Sequence, residues 1–553
     1  MTRGSGRVRG ARLLTLAGLA AGPLLVVGVF FLLPVSGMIA QGFVADGRFD
    51  PGGVLQVLGR PRVHRVVWFT LWSATLGTTL TVMLGIPVAY VLHRLAFPGR
   101  TVLRAALIVP FVLPTVVVGV AFRQLLGEGG PLGRLGLDGS PVAIIAALVF
   151  FNLAVVVRTV GVAWENLDPR PGEAAAALGA APWQVFATVT LPALRGAIVS
   201  AATVVFLFCS TAFGVVLILG GLRYATVETE IYLLTNDLLD LRAAAALSLL
   251  QLLVVTLLLA LAHRARSRRS APTQRRTPHP RRPGAGDLPA LGATAVALAL
   301  VVLPIATLVG RSLRVDGEWG LAHYRALGGT GTDRALVVPV TEALANSLRT
   351  AVDATWMALT LGLLVAFVVT RRSHGPVERR VRAGLDALFM LPLGVSAVTL
   401  GFGFLITLDR PPLDLRDSPL LVPIAQALVA LPLVVRTIVP VLAGIDDRQR
   451  QAAASLGASP FRTVLTVDLA VLWRPLLAAT GFAFAVSLGE FGATSFLSRA
   501  EHPTLPVVIF RLLGHPGGAN FGMALAASVV LAATTALVML AVERLRVPGV
   551  GGF

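Results

Sequence analysis

Apolar residues in this chain run on for stretches of twenty or more with few polar breaks. The hydrophobic core of a bilayer needs about 20 such residues in a helix. Reading the runs in order predicts six membrane helices in the first part of the chain: Leu13–Ala40, Val66–Leu92, Ala105–Leu126, Val142–Ala163, Gly196–Leu219 and Ala243–Ala262. Six more follow: Leu288–Gly310, Leu344–Thr370, Leu385–Leu408, Leu420–Val441, Leu476–Leu497 and Phe521–Val542. Helical periodicity adds little, because a helix among lipid tails and other helices is apolar all round. The expected fold is an all-α polytopic membrane protein with about twelve transmembrane helices.

The polar segments between the runs repeat. Val156-Val157-Arg158-Thr159 matches Val434-Val435-Arg436-Thr437, an offset of 278. At the same offset Asp168 and Arg170 match Asp446 and Arg448, Leu178-Gly179-Ala180 matches Leu456-Gly457-Ala458, and Pro182 matches Pro460. Phe213-Gly214 matches Phe491-Gly492, and Thr226 matches Thr504. The copies run in the same direction, so this is a parallel duplication with its pseudo-two-fold axis along the membrane normal. It divides the chain into a first six-helix unit, residues 1–262, a linker, 263–287, and a second six-helix unit, 288–553.

Composition agrees with a membrane protein: 55% of the 553 residues are hydrophobic, 14% are charged and mean hydropathy is +0.80, whereas soluble domains carry about 25% charged residues. The net charge of +19 does not point to nucleic acid, because the arginines flank apolar spans and line no single polar face. About 30 of the 47 basic residues fall on the side that also holds the N-terminus, which the positive-inside rule makes cytoplasmic. The linker carries eight arginines, from Arg264 to Arg282, with several prolines and no acid before Asp287. It is expected in the cytoplasm with both termini, and the protein in the cytoplasmic (inner) membrane of a bacterium. There is no lysine, so no phosphate-binding loop of the Walker type can form; the chain is expected to be no enzyme. Cys209 is the only cysteine and reads as a small buried hydrophobe. The eight histidines make no metal-ligand spacing, and no metal is expected.

After the fourth predicted helix of each unit comes a distinctive polar segment. The first reads Glu173-Ala174-Ala175, three residues, Gly179, nine residues, Val189, one residue, Leu191-Pro192. The second reads Gln451-Ala452-Ala453, three residues, Gly457, nine residues, Val467, one residue, Leu469-Ala470. Alanine favours helix and lets another surface approach closely. Glycine ends a helix well at the position just past its last turn, and Pro182 and Pro460 suit the start of a second helix. A short helix, a turn and a second helix are predicted twice.

This spacing resembles the EAA motif of binding-protein-dependent ABC importer permeases. The resemblance implies a coupling helix that docks on a separate ATPase subunit. It implies two such ATPases, an extracytoplasmic solute-binding protein and a lipid bilayer as partners, and no cofactor on this chain, with ATP and magnesium held by the ATPase. The second copy departs from the pattern at Gln451 and Ala470. Fused permease pairs occur among thiamine and ferric-iron importers. Leu219-Gly220-Gly221 with Ala225 to Tyr232 is most similar to the thiamine type, and Ser487 to Gly492 resembles the corresponding segment of both. Thiamine is therefore the first expectation for the substrate and ferric iron the alternative. An ion-coupled secondary transporter would share the helix number, but it would need more carboxylates at membrane depth and has no use for paired glycine-ended alanine helices.

Further polar residues are candidates. Glu490 is expected inside the eleventh helix, where an ionisable group is costly and marks a solute pathway by default; a packing role is the equal alternative. Asn152, Ser210 and Thr211 are pathway candidates, although hydrogen bonds between helices explain such residues more often. Glu228 and Glu230 are expected on the external face, as a docking place for the binding protein or as an ordinary solvated loop.

Overall fold

The computed structural model describes residues 18–45, 47–221, 223–267, 281–315, 317–371, 375–391, 395–409 and 413–544. The start of the first predicted span, most of the linker, Pro392 and the C-terminal residues from 545 on lie outside them. Among the described residues the protein is all-α apart from two hairpins of two-residue strands. Among the described residues ten helices are long and apolar enough to cross a membrane, and a bent pair makes an eleventh span.

In the first half these are α1 (Gly18–Phe43), a hairpin of β1 (Val44–Ala45) and β2 (Arg48–Phe49), α2 (Pro51–Leu58), α3 (Pro61–Arg94), α4 (Arg100–Val112) and α5 (Thr115–Leu126). Then come α6 (Pro141–Glu165), the short α7 (Arg170–Ala177), α8 (Pro182–Ser210), α9 (Gly214–Gly220), α10 (Val227–Asn236) and α11 (Leu241–Ser267). The second half has α12 (Leu288–Ser312), a hairpin of β3 (Arg314–Val315) and β4 (Glu318–Trp319), α13 (Val340–Thr370), α14 (Pro376–Met390), α15 (Ala397–Thr407), α16 (Leu421–Ala443) and α17 (Asp447–Ser455). It ends with α18 (Pro460–Leu488), α19 (Thr494–Leu497), α20 (Leu505–Gly514) and α21 (Gly518–Arg544).

The 278-residue offset reappears in the element bounds: α8 and α18 start at Pro182 and Pro460 and end at Ser210 and Leu488, while α10 and α20 coincide at both ends. Packing repeats as well. α3 lies against α6 and α13 against α16. A Cβ on Gly85 would come within 2.6 Å of Val156, and one on Gly362 within 2.5 Å of Val434. Small residues let two backbones approach in lipid, where no water-driven force brings helices together. The first long helix of each half crosses over: α1 packs on α15, and α12 packs on α3 and α5.

Four predicted spans need correction. Ala105–Leu126 is two helices, α4 and α5, bent by 108°; Leu113 precedes Pro114 and is extended, as the proline ring requires. Leu385–Leu408 divides into α14 and α15. Gly196–Leu219 ends as a long helix at Ser210, and Leu476–Leu497 at Leu488. Both of these begin earlier than predicted, at the prolines that follow the polar turns.

Candidate coupling segments and translocation cavity

The two glycine-ended segments form as the sequence predicts. α7 is entered through Asp168, whose side chain accepts from the Arg170 N–H at 3.1 Å; Asp446 does the same for the Arg448 N–H at 3.0 Å. Each helix closes with the same pair of bonds. The Ala180 N–H donates to Ala175 O at 3.1 Å and the Gly179 N–H to Ala176 O at 3.0 Å. The Ala458 N–H donates to Ala453 O and the Gly457 N–H to Ala454 O, both at 3.0 Å. This double bond pattern needs a left-handed residue at the glycine, and φ is +90° at Gly179 and +81° at Gly457.

These segments expose apolar side chains. Leu178 is 90% exposed and Leu456 89%, and beside them stand Trp183 at 69% and Phe461 at 73%. Glu173, Ala174, Gln451 and Ala452 are exposed, as are Leu191 and Pro192, while Ala175, Ala453 and Leu469 are half-buried. The segments differ in what holds them. Buried Asp468, at the foot of α18, accepts from Arg450 Nε at 2.8 Å and from Arg371 Nη2 at 3.4 Å, and Arg450 also pairs with Asp447 at 2.8 Å. Burial works against the Arg450 charge, but Asp468 and Asp447 more than offset it and hold its pKa above the usual value. At the offset, Thr190 stands for Asp468 and Gly172 for Arg450.

From Leu191 the helix climbs 20 residues to Ser210, about 30 Å. Beyond it, at the end away from the coupling segments, a cavity of about 250 Å³ lies between the halves. Four rings related in pairs by the 278 offset gather beside it. Phe213 and Phe491 stack with centroids 5.3 Å apart; Phe213 meets Tyr232 at 5.4 Å, Phe491 meets Phe510 at 5.5 Å, and Tyr232 meets Phe510 at 6.3 Å.

Of the predicted pathway residues, Asn152, Thr211 and Glu490 line the cavity; Ser210 does not, and its hydroxyl donates to Leu207 O. Glu490 is not inside a helix. It sits in the break between α18 and α19, and its two carboxylate oxygens accept from the N–H groups of Ala493 at 2.7 Å and Thr494 at 3.0 Å. That is the geometry of a carboxylate capping a helix start, satisfied by orphan donors. Glu228 and Glu230 do not form the exposed docking place or solvated loop expected of them, since both are buried. Glu230 receives both Nε and Nη2 of Arg62, at 2.5 and 3.0 Å. Glu228 reaches the cavity wall, where it accepts from Ser396 Oγ of the other half at 2.9 Å and from the Gln251 side-chain amide. Sequence reading missed Ser396, Gln251 and the ring cluster; the repeated Phe-Gly pair was the one visible signal.

Residues 81–271 match the family model described as "Binding-protein-dependent transport system inner membrane component". A thiamine transport system permease protein of Brucella abortus (strain 2308) is 29% identical over 522 residues, covering 91% of this chain and 89% of the relative. Its counterpart in Escherichia coli (strain K12) is 30% identical over 467 residues, 81% of this chain and 83% of the relative. A sulfate transport system permease protein of Escherichia coli (strain K12) is 32% identical over 244 residues, 43% of this chain and 87% of the relative.

Proposed function

This chain belongs to the inner-membrane permeases of binding-protein-dependent ABC importers, and on that premise we propose that it is the solute pathway of an ATP-driven thiamine importer. The observation that carries the reading is the pair of exposed segments, each a short helix closed by a left-handed glycine and flanked by an exposed leucine and aromatic ring. A surface of that kind is what a partner's groove would cover. Two segments call for two ATPase subunits, which hold the ATP and magnesium. Glu173 to Ala175, Gly179, Leu191 and Pro192 make one docking edge. Gln451 to Ala453, Gly457 and Leu469 make the other. Thiamine is favoured by relatives that align over most of both chains. The units 1–262 and 288–553 are the two permease domains, and Asn152, Thr211 and Glu490 line the route between them.

Cells carrying the complete system, fed labelled thiamine or labelled ferric iron, test the substrate. Uptake of thiamine above a strain lacking this chain is expected, and uptake of iron alone would replace the reading with its alternative. Orientation is tested by labelling single introduced thiols, because the native Cys209 is buried. Ser455→Cys, exposed at the end of α17, is expected to react only after permeabilisation. Glu318→Cys, exposed in the β3–β4 hairpin, is expected to react in intact cells. The reverse pattern would place the coupling segments outside and end the proposal.

A further inference from the structure

We propose that Glu228 and Asn152 form a binding site for an aromatic organic cation inside the cavity between the halves; the proposal rests on the thiamine-import reading. Glu490 lines the same cavity, but its two oxygens are held by backbone N–H groups of its own segment, at the start of α19. Glu228 is held instead by side chains of two other elements. Its partners are a hydroxyl from Ser396 and an amide from Gln251, both neutral. Among the described residues that line the cavity there is no arginine or histidine. A carboxylate there has hydrogen bonds but no counter-charge, and a buried charge is costly unless paired. A cation entering the cavity would supply the missing charge.

A second observation is independent of that carboxylate. Asn152 is buried, at 1% exposure, and lines the same cavity. Its amide nitrogen donates to Leu148 O at 2.9 Å, but its Oδ1 has no partner. A buried acceptor left free is destabilising, and a ring amine or N–H on the solute would satisfy it. The remaining walls are mainly apolar, with six phenylalanines among them. Phe111 stands 6.1 Å from Phe151 and 6.2 Å from Phe208, and the stacked Phe213 and Phe491 line the cavity too. Aromatic faces attract cations and stack on flat rings. The cavity volume suits one or two small rings. Ser396 belongs to the second half, so the site is complete only while the halves meet at Glu228, which links cation binding to their relative position.

The test uses the permease–ATPase complex in lipid nanodiscs without the binding protein, probed with thiamine and with an analogue whose charged ring is replaced by a neutral ring of the same size. The wild-type complex is expected to bind thiamine saturably and to prefer it over the neutral analogue by about tenfold or more. Glu228→Gln keeps the shape and is expected to reduce that preference several-fold, Glu490 remaining in the cavity wall, while Glu228→Asp retains it. Asn152→Ala is expected to weaken both probes together. A ratio within one variant does not depend on how much complex is recovered. Should Glu228→Gln fail to assemble, Ser396→Ala serves instead: freeing one carboxylate oxygen leaves the charge, so the preference must persist. An unchanged preference in Glu228→Gln, a lost preference in Ser396→Ala, or no saturable binding by a wild-type complex that imports thiamine in cells would each overturn the site and leave the import reading intact. Absence of thiamine import in cells would overturn the import reading itself.

Discussion

Gly179→Asp is expected to leave the protein in the membrane and to cut uptake by about tenfold or more, the equivalent of about 1.4 kcal/mol at one docking contact. A Cβ on Gly179 would meet nothing within 4 Å, so the change does not crowd this chain. Its local costs are a left-handed backbone with a side chain, about 1–2 kcal/mol for most residues and less for Asp, and a negative charge at the helix end that already carries the negative dipole. The large effect lies outside the chain. Leu178, almost fully exposed, and the glycine beside it form the tip of the segment, and a carboxylate there must be desolvated when a partner covers it. Gly457→Asp introduces the same charge at a tip with the same geometry. The first copy is expected to be the more sensitive. It departs from the motif at Val189 alone, whereas the second copy departs at Gln451, Val467 and Ala470, and the foot of the first copy has Thr190 and Gly172 where the second has the Asp468–Arg450 pair. Uptake and the amount of ATPase retained on the purified permease are both measured. Normal uptake in both variants refutes the coupling role, and loss of the permease from the membrane refutes the claim that its own packing is undisturbed.

Some of this structure was legible in the sequence and some was not, for identifiable reasons. The repeat and the helix–turn–helix segments were readable because they depend on local chemistry: a carboxylate that enters the helix, a glycine that ends it, a proline that starts the next. The breaks at Thr211–Phe213 and Gly489–Ala493 were not. Val204 to Leu219 stays apolar almost throughout, and hydropathy cannot distinguish one long helix from two short ones of the same composition. The clue was the cluster of Ser210, Thr211 and Gly214 in one copy and of Ser487, Gly489, Glu490 and Gly492 in the other. The bend at Pro114 carried a stronger signal, since the residue before a proline avoids helix. Glu228 and Glu230 looked like a solvated loop because two acids so close together usually are. Their partners Arg62 and Ser396 each lie 168 residues away along the chain, a separation at which a single sequence offers no pairing.

Asp468→Ala is expected to loosen the second coupling segment while leaving the first untouched. The carboxylate is fully buried, and it binds Arg450 from α17 and Arg371 from the end of α13 at once. It therefore ties the coupling helix to two membrane helices. Breaking a buried pair by removing one partner costs about 3–5 kcal/mol. Arg371 is 41% exposed and can turn to water, and Arg450 keeps Asp447, so the cost belongs at the lower end, about 3 kcal/mol. It falls on the attachment of α17, not on the bilayer-embedded helices. Trypsin should then cleave after Arg448 and Arg450 faster in the purified variant than in the wild type, while Glu-C cleavage after Glu173 in the first segment is expected to be unchanged. The paired variant Asp468→Ala with Arg450→Ala removes both charges and is expected to be less damaged in ATPase retention than the two single effects added together, since residues in one ion-pair network do not act independently. Strictly additive losses, or an equal rise in cleavage after Glu173 and after Arg450, would mean that the ion pairs do not hold the second segment and that the asymmetry between the copies lies elsewhere.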